Sequence, residues 1–170
     1  MKKFLATTAL AIAAGSFTTA SIAEEGFYAG ANLGIMHVDL GDASNPFNVG
    51  IQLGYHFSDN WAIEGQYTSS LSDGSFENPS YYGPDNVDFS VETLAGYGVF
   101  RSSGNVYFKA KAGIINETID AEGGYSASDT GASVGLGLGF RQSDAGNFEL
   151  EATIIEEDVI YFSAGFNVNF

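Results

Sequence analysis

Glu149 and Glu151 stand two residues apart in the run FELEATI, residues 148–154. On an extended chain that spacing puts both carboxylates on one face, about 6.6–7 Å apart along the strand. Two carboxylates at such a separation could serve glycoside hydrolysis. Lys109 and Lys111 repeat the same spacing with the opposite charge. Salt bridging is therefore the simpler chemistry for all four residues.

Other groupings carry less. His56-Phe57-Ser58 brings a base and a hydroxyl close in sequence, as ester hydrolysis requires. The alternation of its neighbours turns His56 to a polar face while Ser58 opens a turn, so the pair does not meet. Gly135-Leu-Gly-Leu-Gly139 lacks the glycine spacing of a dinucleotide loop, and no helix follows to hold a phosphate. Asp120-Ala-Glu122 and Glu156-Glu157-Asp158 lack the spacing of a calcium loop. They are expected to be solvated, or to share divalent cations with neighbouring phosphates. The absence of cysteine removes thiol nucleophiles and thiolate metal sites. A formal net charge of −15 sets the electrostatic term against any nucleic-acid partner. No catalytic residue, metal site or cofactor is expected.

A two-residue periodicity positions these side chains. In residues 159–170, Ile160, Phe162, Ala164, Phe166, Val168 and Phe170 share one parity, while Ser163, Gly165, Asn167 and Asn169 take the other. Strands send alternate side chains to opposite faces, so this segment has one apolar and one polar wall. The same alternation predicts seven further strands, over 27–38, 48–57, 61–67, 87–100, 106–114, 132–141 and 148–155. In the fourth, hydropathy puts Val87, Phe89, Val91, Tyr97 and Val99 on the apolar wall and Glu92 on the polar one. Apolar-wall aromatics cluster toward the strand ends, Phe27, Tyr55, Trp61, Tyr97 and Phe148 at one and Tyr67, Phe89 and Phe162 at the other. Such girdles suit lipid headgroup depth.

The chain opens with Lys2 and Lys3, an apolar run over 4–14, and Ser21-Ile22-Ala23. This is the pattern of a secretory signal cut between Ala23 and Glu24. The run is shorter than the roughly 20 residues of a membrane-spanning helix. Residues 1–23 are expected to be a signal peptide and 24–170 a single barrel domain.

Repeated eight times behind an export signal, these walls predict an all-β fold: an eight-stranded antiparallel up-and-down transmembrane β-barrel, its apolar wall toward lipid. Connections at 58–60, 101–105 and 142–147 are tight, whereas 39–47, 68–86 and 116–131 are expected as longer loops, with 156–158 a short exception. Short periplasmic turns and longer external loops put both termini on the periplasmic side. A barrel this narrow is filled by its own side chains. Glu64, Glu92, Glu149 and Glu151 are expected to interlock inside it with Lys109, Lys111 and Arg141, because an unpaired buried charge is strongly destabilising.

Three segments resemble a known family: GFYAGANLG at 26–34, GYHFSDNWAIE at 54–64 and AGFNVNF at 164–170. They are similar to the eight-stranded OmpA/OmpX-like outer-membrane barrels, often grouped as a porin-like β-barrel domain. The resemblance covers the whole mature chain. It implies the outer membrane of a Gram-negative bacterium, a monomer, and contact with outer-membrane lipid and lipopolysaccharide. Gly165, Val168 and terminal Phe170 resemble the signal read by the barrel-assembly machinery, which implies passage through it and through periplasmic chaperones. The fold hosts anchors, adhesins, small pores and a few lipid-modifying enzymes, so function is not read from it. The expectation is a structural, envelope-stabilising protein with acidic external loops and no enzymatic activity. A narrow cation-preferring pore, favoured by the acidic excess inside, and an adhesin acting through 68–86 are the alternatives.

Overall fold

The computed structural model describes residues 26–38, 44–77, 86–121, 123–143, 146–156 and 159–170, so the Ala23–Glu24 junction lies outside the described residues. Nine strands form among the described residues: β1 (Gly26–Val38), β2 (Phe47–His56), β3 (Trp61–Ser72), β4 (Gly74–Glu77), β5 (Asn86–Arg101), β6 (Val106–Ala121), β7 (Tyr125–Ser143), β8 (Gly146–Glu156) and β9 (Val159–Asn169). Eight of them close into a barrel in the order β3-β2-β1-β9-β8-β7-β6-β5, with β5 returning to β3. Every pairing is antiparallel, and the first and last strands pair from Tyr28↔Asn169 to Val38↔Val159. Closure removes the edge that an open sheet would expose.

Alternation sets the two faces. Leu33, Leu53, Ile63, Leu136 and Phe166 are exposed on the outer wall, whereas Asn32, Gln52, Glu64 and Asn167 are buried inside. β5 reverses the expectation. Phe89, Val91, Ala95, Tyr97 and Val99 are buried in the lumen, and Glu92 and Leu94 face outward. The reason stands at the end of the strand: Arg101 shares the parity of Tyr97 and Val99 and is buried. Turning that face outward would strip Arg101 from its carboxylate partners, and breaking a buried ion pair costs about 3–5 kcal/mol. Exposing Gly96 and Gly98 on the outside instead forgoes little. Tyr97 and Phe89 consequently leave the outer girdles, where Phe27 still packs on Tyr55 and Trp61 on Phe100.

Two segments expected as long loops are largely strand. β4 lies within 68–86 and pairs with the start of β5, Ser75 opposite Asp88. β6 and β7 remain paired up to Ala121↔Tyr125. Their turn holds Gly123 and Gly124 at φ +100° and +86°, a left-handed backbone that glycine adopts without steric penalty. β7 meets β8 only from Val134 onward. Strands β4 to β7 therefore rise past the rest of the barrel as a protruding sheet. Residues 125–132 of β7 form its edge, with no strand paired to them other than β6 among the described residues.

Candidate functional site

The strongest concentration of chemistry lies inside the barrel. β5, β6, β8 and β3 deliver Arg101, Lys109, Lys111, Glu149, Glu151 and Glu64 to the lumen, because each occupies an inward position of its strand. Lys109 Nζ sits 2.8 Å from Glu149, 2.7 Å from Glu151 and 3.4 Å from Glu64. Arg101 bonds Glu149 at 2.8 Å and Glu64 at 3.2 Å, and Lys111 pairs with Glu151 at 2.9 Å. Three carboxylates thus meet three cations.

Neutral groups complete the arrangement. Tyr28 donates to Glu64 at 2.7 Å, Tyr107 donates to Glu149 at 2.6 Å, and Asn167 donates to Glu149 at 3.1 Å. Gln66 accepts from Lys111 at 3.0 Å. The tyrosine rings fit because glycine faces them across the sheet. Tyr28 lies opposite Gly54 and Tyr107 opposite Gly139, and each ring occupies the space a Cβ on that glycine would need. Glycines 135 and 137 make room for Lys111 and Glu151 in the same way.

The expected network is corrected at two members and extended by one. Glu92 is exposed on the outer wall, since β5 is turned over. Arg141 keeps its inward parity but is exposed at the barrel mouth, where it bonds the Gly104 carbonyl and lies 4.8 Å over the Tyr107 ring. Arg101 was assigned to a turn by the sequence and is instead central. Its parity with Tyr97 and Val99 is the signal that points to it. Exchanging Glu92 for Arg101 sets three carboxylates against three cations within the network, while Glu117, which the sequence reading missed, is a further carboxylate buried higher in the lumen.

The catalytic candidates are held in other ways. Glu149 and Glu151 both close on Lys109. His56 stacks on Tyr28 with centroids 4.7 Å apart, while Ser58 Oγ accepts the Trp61 N–H at 3.2 Å. Asp120 is exposed, and Glu122, Glu157 and Asp158 lie outside the described residues. No group of three or more potential metal ligands occurs among the described residues.

Above the charges apolar side chains fill much of the lumen, with Asn48, Thr68, Thr93 and Glu117 buried among them. Met36, Phe89, Val91, Ile115, Ile155 and Val159 belong to one buried cluster. Ile115 and Ile155 lie six residues further along β6 and β8 than Lys109 and Glu149, about 20 Å of strand.

A closed eight-stranded sheet with an exposed apolar outside and a charged inside has a known counterpart. Residues 4–170 match the family described as the outer membrane protein beta-barrel domain. The chain belongs to that family. It is an OmpA-like, porin-like barrel of the Gram-negative outer membrane, crossing it with strands. A comparison with curated protein sequences finds no match.

Solved structures share the fold. Neisserial surface protein A is 17% identical with a TM-score of 0.61, covering 87% of this chain and 98% of that one. OprG from Pseudomonas aeruginosa is 12% identical with a TM-score of 0.63, covering 87% and 96%. Ail, the attachment invasion locus protein of Yersinia pestis, solved with the heparin analogue sucrose octasulfate, is 18% identical with a TM-score of 0.53, covering 85% and 95%. At these identities the likeness is one of architecture.

Proposed function

We propose that this barrel is a sealed structural element of the outer membrane, a monomer that stabilises the envelope and catalyses no reaction. The observation that carries the reading is the charge-balanced network of Arg101, Lys109, Lys111, Glu64, Glu149 and Glu151, with an apolar layer stacked over it. An ion crossing the lumen would have to part the network and then pass the buried side chains of Met36, Phe89, Val91, Ile115 and Ile155 that fill the space above it. Planar-bilayer recordings on purified protein test this: the expected result is no conductance above background, and steady cation-selective channels would overturn it. Export after cleavage between Ala23 and Glu24, and assembly through the barrel-assembly machinery with periplasmic chaperones reading Gly165, Val168 and Phe170, belong to the same proposal.

Surface recognition is the second reading, favoured by the protruding sheet. The edge of β7 over 125–132 carries no Lys or Pro, the residues that commonly blunt a strand edge. An extended partner segment can add to such an edge through main-chain hydrogen bonds. Shortening the β6–β7 hairpin and measuring adhesion of the bearing cells tests it. Unchanged adhesion removes this reading.

A further inference from the structure

The outer wall of the barrel changes character along β5, β6 and β7. Register defines successive rows on the outward face. Gly96, Ile114 and Ala132 form one row, and Leu94, Asn116 and Thr130 form the next. Beyond them come Glu92, Thr118 and Ser128, then Ser90, Asp120 and Ser126. Hydrocarbon-facing residues give way to amides, hydroxyls and carboxylates within a single row. On the opposite side no such rows occur among the described residues: Ile154, Ile160 and Phe162 keep the outer face apolar toward the ends of β8 and β9.

We infer that this polar wall is a docking face for the oligosaccharide head of an outer-leaflet glycolipid. Position supplies the first argument. The wall continues the lipid-facing surface without a break, so a lipid whose chains lie against Ile114 and Ala132 must place its head against Asn116, Thr118 and Ser128.

Height supplies the second. From the Leu94–Asn116–Thr130 row to the Ser90–Asp120–Ser126 row is four residues, about 13 Å of strand and roughly 10 Å of height at the tilt of about 35–45° usual for such strands. The polar interface of an ordinary bilayer is roughly 5–7 Å on each side. The wall is taller than a phospholipid headgroup and suits a head built of several sugars.

Side-chain chemistry supplies the third. Asn116 Nδ2 reaches Ser128 Oγ at 3.2 Å and Thr130 Oγ1 at 2.9 Å, and Thr118 Oγ1 lies 3.4 Å from Ser128 Oγ. This ties the short side chains into a flat array that offers oxygens to sugar hydroxyls. Asp88, Glu92 and Asp120 share the exposed side and oppose direct phosphate contact. Beyond Leu94 at its lipid-facing margin, the array lacks the aromatic and large apolar side chains that mark protein interfaces.

The test uses the folded mature barrel in detergent micelles, titrated with lipopolysaccharide bearing its core sugars or with lipid A stripped of them. Binding of the core-bearing form is expected to be the tighter, and unaffected by EDTA. The variant Thr118→Val, Ser128→Ala, Thr130→Val is expected to bind the core-bearing form about tenfold more weakly, as losing one or two net hydrogen bonds implies. Its affinity for lipid A should not change. Equal affinity of the native protein for both glycolipids overturns the inference, as does binding that EDTA abolishes, which would assign contact to cation-bridged phosphate. Should the variant not fold, hydrogen exchange on the native protein decides: amides of 116–130 slow with the core-bearing form alone, and an unchanged pattern sinks the idea. Conductance plays no part in the test, so it stands or falls apart from the sealed-barrel reading.

Discussion

Arg101 grips Glu149 side-on, Nε to Oε1 at 2.8 Å and Nη2 to Oε2 at 3.4 Å, with both side chains almost wholly buried. The forked guanidinium also reaches Glu64 and the Tyr28 hydroxyl, so one residue links β5 to β8, β3 and β1. Arg101→Ala leaves two buried carboxylates short of a partner, and about 3–5 kcal/mol of destabilisation is expected. Arg101→Lys keeps the charge but loses the fork, so it should fall between the two. Urea unfolding in lipid vesicles, followed by heat-modifiable gel mobility, measures both. An alanine variant as stable as the native barrel would show that the network does not hold these strands together.

Tyr107 and Gly139 give a second contrast. A Cβ on Gly139 collides with the Tyr107 ring, whereas a Cβ on outward Gly96 meets nothing within 4 Å. Gly139→Ala is expected to cost about 1–3 kcal/mol through overpacking. Gly96→Ala should be neutral or slightly stabilising, since glycine weakens a strand interior. The same unfolding assay reads both, and equal effects would refute the packing argument.

The inverted strand allows a direct check of parity. The chain has no cysteine, so introduced thiols report without background. Cysteine at Leu94 or Gly98 should react with a membrane-permeant maleimide in the folded barrel, and cysteine at Ala95 or Val99 should not. Glu92→Gln should change stability by no more than about 0.5 kcal/mol, as an exposed substitution does. Labelling at Val99 with Leu94 protected would restore the hydropathy reading.

That strand marks where the sequence stopped being legible. Seven barrel strands could be read because one wall is apolar and the other polar along each of them, as Ile51 and Leu53 against Gln52 show. β5 carries apolar residues on both faces, so periodicity alone had two solutions. The choice is made by Arg101, whose partners Glu64 and Glu149 lie on β3 and β8, far away in sequence. The protruding sheet was hidden for a different reason. Residues 125–130 of β7 are exposed on both faces, and a strand without a buried side has no alternation to detect; on β6 the buried Glu117 interrupts an inward face that Ile115, Ile119 and Ala121 otherwise make apolar. The lumenal network was largely visible, since Lys109, Lys111, Glu149 and Glu151 fall on inward positions of strands that were read correctly.

Two barriers in series make a final prediction. Lys109→Ala with Glu149→Ala opens the charged floor, yet Met36, Phe89, Val91 and Ile155 still fill the lumen above it. That double variant should stay close to background in planar-bilayer recordings, because these large side chains still block the path whatever lies below. Adding Met36→Ser and Phe89→Ser removes both large side chains from the upper layer and lets water in. Conductance should appear only in the combined variant, well above either pair alone. Should the Lys109 and Glu149 pair suffice by itself, the apolar layer is no barrier and the seal rests on the charges. Should the upper pair suffice, the salt-bridged floor is already permeable, and the protein would have to be reconsidered as a pore gated from outside.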